Sequence, residues 1–227
     1  MIELLLALAQ DSIPVTDGAR LAESRTCYTL NMTRGEMVRP IGVTWQTVAR
    51  GIRDGRPVLE VTVHQSLSSG AFDMRDDFVL DAATLRPISL VNTRQGKVHV
   101  TARYGPDRIT GERTEADGTI HPIDVPLDGP VWEGNLFGLT FAALPLAEGA
   151  SFSLPFWQYD KGFGRFMVRV TGSRMVDGLE AWIVEGGPEG SDPITYLISK
   201  ADQRELSYSA AQGSQTPGGD CSAISGE

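Results

Sequence analysis

The sequence predicts a mainly β protein: an antiparallel meander curled into an open, incomplete β-barrel around one apolar helix at about residues 130–145. Three observations predict it. Short segments along most of the chain alternate apolar and polar residues with a period of two, the pattern of strands with one wet face. Gly, Asp and Pro turns separate these segments at short intervals, without the strand–helix alternation of a parallel sheet. One long stretch, Pro130–Pro145, breaks the alternation, and no charged residue occurs from Gly134 to Ala147.

The chain opens on MIELLLALA. Small residues at Ala7 and Ala9 fit signal-peptidase cleavage, although Glu3 stands where a basic residue is expected. Residues 1–9 are therefore read as a truncated secretory leader, with a frayed apolar end or first strand as the alternative. Residues 10–211 are read as a single open-barrel domain of about ten strands.

The first strand carries Tyr28, Leu30 and Met32 on one face. Ile41, Val43 and Trp45 alternate next, then Leu59, Val61 and Val63. Phe72, Met74, Phe78 and Leu80 keep the period, broken by Asp76; Ile88 with Leu90, and Val98, Val100, Ala102 and Tyr104, follow. Arg53-Asp54-Gly55-Arg56, Gln95-Gly96-Lys97, Gly105-Pro106-Asp107 and Ala116-Asp117-Gly118 supply turn chemistry.

On a helical wheel of Pro130–Pro145, Trp132, Leu136, Phe137, Leu139, Phe141 and Leu144 spread over more than half the circumference, and Gly134, Gly138 and Ala142 lie in the remaining sector. A helix without a charged face is a buried one. It is too short to span a bilayer, which takes ~20 apolar residues. Asn135 or Asp128 could cap its start, and Pro145 stops it. After it the meander resumes through Phe152, Leu154 and Phe156, Phe166, Val168 and Val170, Leu179, Ala181 and Ile183, Tyr196 and Ile198, and Leu206 and Tyr208. Residues 212–227, rich in Gly and Ser, read as a flexible tail.

Composition narrows the function. A net charge of −9, with basic residues scattered singly, argues against nucleic acid and against an anionic membrane surface. No segment reads as an integral membrane span. The three histidines, His64, His99 and His121, lack partners at metal-ligand spacing, and strand parity puts the first two on the wet face. Nucleophile-elbow and phosphate-loop motifs are missing, and no two carboxylates are spaced as an acid–base pair. Neither a catalytic residue, a metal ligand nor a cofactor is therefore assigned. Cys27 and Cys221 either form a bridge, if the protein is exported, or remain two separate thiols. The densest aromatic segment, FSLPFWQYDKGFGRF from Phe152 to Phe166, reads as sheet core or as the wall of an apolar ligand site.

Phe78-Val-Leu-Asp-Ala-Ala-Thr-Leu-Arg-Pro, Pro130-Val-Trp-Glu-Gly-Asn, the segment from Val170 to Glu185, and Thr195-Tyr-Leu-Ile-Ser-Lys together resemble an uncharacterised secreted bacterial family. That family is similar to the lipoprotein-carrier-like (LolA/LolB-type) incomplete β-barrels. The resemblance covers roughly 71–210 and implies a sheet curled around an apolar hollow closed by a helix. It carries over no catalytic residues.

The leading expectation is a periplasmic or secreted binding protein for an apolar ligand, a lipid or acyl chain, held between the concave sheet and the helix. Trp45, Phe72, Trp132, Phe137, Phe141, Phe156 and Trp157 are the candidate walls. The alternatives are a cell-envelope interaction or scaffold module with a filled core and a protein partner, and an enzyme using the hollow.

Overall fold

The computed structural model describes residues 13–226. The expected leader, residues 1–9, lies outside the described residues.

Among the described residues, fifteen strands form one sheet. The first eight are β1 (Ser24–Arg34), β2 (Met37–Arg53), β3 (Arg56–Leu67), β4 (Asp73–Asp81), β5 (Pro87–Arg94), β6 (Lys97–Tyr104), β7 (Arg108–Thr114) and β8 (Ile120–Pro126). They make an unbroken antiparallel meander, each strand pairing with its predecessor. A short strand, β9 (Trp132–Glu133), and a six-residue helix, α1 (Phe137–Ala142), follow. A second meander then runs through β10 (Ser151–Gln158), β11 (Gly162–Val176), β12 (Leu179–Pro188), β13 (Ile194–Ser199), β14 (Glu205–Ala210) and β15 (Gly213–Pro217).

The two meanders join where β15 pairs with β1, so the first and last strands meet in the middle of the sheet and β8 and β9 are its edges. Among the described residues, hydrogen-bonded pairing does not close the barrel. The turns are set locally. Asp54-Gly55, Gln95-Gly96 and Asp177-Gly178 each hold two successive residues at positive φ, the geometry of a two-residue hairpin whose twist matches its strands.

The sheet curls because its apolar faces share one core. Leu59, Val61, Phe78, Leu80 and Leu90 of the first meander pack in the same cluster as Leu154, Phe156, Phe166, Val168 and Ile198 of the second, with α1 between them. Burying each such side chain is worth roughly 1.5–3 kcal/mol, so away from the β1–β15 seam the two halves are held together by area rather than by backbone pairing. Polar bridges then cross the gap. Tyr104 on β6 donates to Glu133 on β9, and Arg94 at the end of β5 donates from Nη2 to the Tyr159 hydroxyl at 3.1 Å. Trp132 Nε1 donates to the Thr84 carbonyl in the β4–β5 turn at 3.3 Å.

The helix is shorter than the sixteen residues from Pro130 to Pro145 imply. Trp132 and Glu133 pair in parallel with Phe156 and Trp157, so the apolar character of this part comes from sheet burial rather than helix. The N-cap is Leu136, without a side-chain bond, so neither Asn135 nor Asp128 caps it. Residues 212–226 also differ from the flexible tail expected over 212–227. Gly213–Pro217 is strand β15, paired with β1 and β14, and the segment beyond it is fixed by the Cys27–Cys221 disulfide. His64 Nδ1 lies 3.1 Å from the Ile224 carbonyl, which holds that segment over the outer face of β3.

Candidate functional site

Between the concave sheet and α1 lies a cavity of about 450 Å³, open on one side. Its walls combine two kinds of surface. Leu136, Phe137 and Leu139, with Val63, Met74 and Ile194, supply apolar area. Thr44 and Gln46 of β2, Gln65 of β3, Asp76 of β4, Glu205 and Tyr208 of β14, Tyr196 of β13 and Gln215 of β15 supply hydrogen-bonding groups. No Lys, Arg or His is among its lining residues.

Strand geometry explains why these side chains converge. On β2 the inward positions are Gly42, Thr44, Gln46 and Val48. On β4, Met74, Asp76, Phe78 and Leu80 share the concave face, so the Asp that interrupts the apolar alternation points into the hollow. On β14, pairing with β13 shifts register between Leu197↔Ser207 and Ile198↔Glu205. This irregularity lets Glu205 and Tyr208, three residues apart, face the same cavity, while Leu206 packs in a small separate cluster with Ala181 and Leu197. Gly138 completes the arrangement. A Cβ there would meet Glu205 Oε2 at 1.6 Å, so only glycine lets the helix approach this carboxyl.

Three carboxyls are buried in this region. Asp76, 2% exposed, accepts a 2.6 Å hydrogen bond from Asn92 Nδ2, and burial raises its pKa to about 6. Glu205, 6% exposed, accepts only from Gln215 Nε2 at 3.4 Å among the described residues, and burial raises its pKa to about 7. Glu133 stands behind the cavity wall. It accepts from Tyr104, from Asn135 N at 3.2 Å and from Asn135 Nδ2 at 3.3 Å, and burial raises its pKa to about 8. Burial also holds the Tyr104 and Tyr196 phenols well above their usual value. A neutral carboxyl can donate as well as accept, and an ionised one in so dry a setting calls for a cation.

The structure separates the seven candidate walls. Phe137 lines the cavity. Trp132, Phe141, Phe156 and Trp157 are buried in the shared core, where Phe156 stacks on Phe166 with centroids 4.2 Å apart. Trp45 faces outward, because Thr44 and Gln46 take the inward positions; its cross-strand neighbours are Cys27 and His64. Phe72, 37% exposed, sits in the β3–β4 turn. Of the two histidines expected on the wet face, His64 lies outside beside Asp73. His99 has no Cα partner on β5, because a bulge there pairs Thr93 with Val98, and its ring lies edge-on to Tyr159 at 6.0 Å. Asp76, Glu205, Tyr196 and Tyr208 were not singled out from sequence. The only signal was negative: Asp76 broke an apolar series, and Glu205 and Tyr208 are brought together by an irregularity that alternation does not reveal. Among the described residues no group of three or more His, Cys, Asp or Glu is placed to hold a metal ion. No helix among them is long and apolar enough to cross a membrane.

The model of a family of proteins of unknown function, DUF3108, matches residues 27–211. The chain belongs to DUF3108. The DUF3108 match runs from the first disulfide cysteine through β14, and so contains every cavity-lining side chain named above except Gln215. A crystal structure described as a beta-barrel-like protein of domain of unknown function DUF1849, from Brucella abortus, has the same fold. It aligns with a TM-score of 0.57 at 9% identity over 91% of this chain and 98% of that one. No curated protein matches the chain.

Proposed function

We propose that this DUF3108 protein is a binding protein, working outside the cytoplasm, that holds a largely apolar small molecule between its concave sheet and α1. The observation that carries the reading is the open-sided cavity of about 450 Å³ between the concave sheet and α1. It falls within the ~300–1,000 Å³ of small-molecule sites and has their usual make-up, apolar walls with a few convergent polar groups. Desolvation of the ligand's apolar part against Leu136, Phe137, Leu139, Val63 and Met74 would supply the affinity. A scaffold module with a filled core needs no such hollow.

The extracytoplasmic location rests on the leader-like first nine residues and on a disulfide, which persists in oxidising compartments. Lipids and acyl chains are the broad ligand class, in keeping with the lipoprotein-carrier-like resemblance of the sequence. Native mass spectrometry of protein purified from a bacterial periplasm, followed by solvent extraction, tests the reading. A reproducible bound mass that extracts as an apolar molecule and is lost in Leu139→Glu supports it. A clean apo mass, with no uptake of an apolar fluorescent probe, overturns it.

A further inference from the structure

The polar part of the cavity narrows the ligand class, on the premise that the cavity is a binding site. Glu205 Oε2 has no hydrogen-bond donor among the described residues and lies in the cavity wall against Gly138. Beside it stand two phenol rings, Tyr196 and Tyr208, with centroids 6.0 Å apart, and Phe137 lines the same space. Asp76 opens onto the same cavity from β4, with one carboxyl oxygen held by Asn92. A buried carboxylate flanked by aromatic faces is the environment that binds an ammonium group, through charge-assisted hydrogen bonding and cation–π attraction. No basic side chain lines the cavity to receive a carboxylate or a phosphate.

We propose that the cavity takes an amphiphile with a positively charged amine head, the ammonium lying against Glu205 among Tyr196, Tyr208 and Phe137, and the hydrocarbon chain against Leu136, Leu139 and Val63. Binding of such a head draws Glu205 to its ionised form and releases a proton. The charged and titratable groups around Glu205 are Tyr28, Tyr196 and Tyr208, with Arg204 and Asp202 acting on Tyr28 nearby. Those around Asp76 are Arg94, Asp77 and Asp160, and Glu133 feels its charge. Arg94, the cation acting on Asp76, is engaged with Tyr159.

The test is calorimetric titration of the whole protein with three probes of one chain length: dodecylamine, dodecan-1-ol and dodecanoate. The amine is expected to bind tighter than the alcohol by on the order of ten-fold or more, the worth of one charge-assisted hydrogen bond. Its advantage should grow from pH 5.5 to pH 8 as Glu205 ionises, while alcohol binding stays level. Glu205→Gln should reduce the amine's advantage and leave the alcohol bound; retained alcohol binding also shows that the variant is folded. If alcohol or dodecanoate binds as well as the amine, the cationic class is overturned and the apolar-cavity reading stands. If none of the three binds, both readings are overturned.

Discussion

Tyr104, on β6, donates its hydroxyl hydrogen to Oε2 of Glu133, on β9, across the part of the barrel that no backbone pairing closes. Glu133 is 1% exposed and keeps its proton to about pH 8 in the folded protein, chiefly because burial penalises the charge. The unfolded chain loses that proton near the ordinary carboxylate value. The folded state therefore binds more protons between these limits, and stability falls as pH rises through them. Glu205, raised to about 7, and Asp76, raised to about 6, act with the same sign. Asp77 and Asp81, held below the usual carboxylate range by hydrogen bonds from Arg75 and Thr62 and from Thr84, act oppositely and lose their contribution as pH falls below about 4. Thermal unfolding is expected to show its highest Tm near pH 5 and a progressive fall to pH 8. Glu133→Gln should flatten the upper part of that fall. A Tm that holds level or rises from pH 5 to pH 8 would contradict the assignment.

Removing the donor tests the same contact from its other side. Tyr104→Phe keeps the ring that meets Trp157 edge-on at 5.9 Å and deletes only the hydroxyl. Glu133 then keeps its bonds from Asn135 and the Gly134 amide, and a buried polar group that loses a partner costs about 1–3 kcal/mol. Urea unfolding should report a loss of that size. In a double-mutant cycle with Glu133→Gln, the two losses should fall short of additivity, because the residues share one bond.

The fold was legible because period-two alternation and paired turn residues are set locally and survive tertiary context. Asp54-Gly55, Gln95-Gly96 and Asp177-Gly178 turn where their chemistry says they should. What escaped was phase. Ile41, Val43 and Trp45 looked like the core face of β2, yet the C-terminal segment covers part of the outer face of this sheet, with Gly219 lying close to Val43 and Cys221 bonded to Cys27. An apolar row can thus be buried away from the core. Inward-facing Thr44 and Gln46 looked like a wet face because the hollow they line is polar at that end. Apolarity also could not distinguish a helix from a strand at Trp132–Glu133, where both states are equally buried. The polar Gly213–Pro217 earned its place in the sheet by backbone pairing on both sides, which composition does not encode.

Phe141 is the side chain through which α1 packs onto the second meander. It is fully buried, edge-on to Phe166 at 5.4 Å and to Tyr196 at 5.3 Å. Gly186 lies beneath it, where an added Cβ would come within 2.6 Å of the ring. Phe141→Ala is expected to cost about 3–5 kcal/mol through lost burial and the cavity left behind. Gly186→Ala should cost about 1–3 kcal/mol through overpacking against the same ring. In the double variant the space vacated by Phe141 accommodates the new methyl group, so the combined loss should be smaller than the sum. Chemical denaturation of the three variants checks both magnitudes and the sign of the coupling.

The Cys27–Cys221 bridge fastens the C-terminal segment to β1 beside the β1–β15 seam, closing a loop of 194 residues in sequence separation. In the chain-entropy description, a loop of that length restricts the unfolded state by about 5 kcal/mol. The bridge also pins the segment that continues from β15, the strand carrying Gln215, whose side chain is the one donor to Glu205 among the described residues. Reduction, or the double substitution Cys27→Ser with Cys221→Ser, should lower Tm clearly and broaden proteolytic sensitivity first after Pro217. If the seam holds by strand pairing alone, hydrogen exchange of β15 amides will be unchanged in the reduced protein. The expected result is faster exchange at Gln215 and Thr216 while amides of the distant β6 and β7 keep their protection, which places the weakened step at the junction of the two meanders.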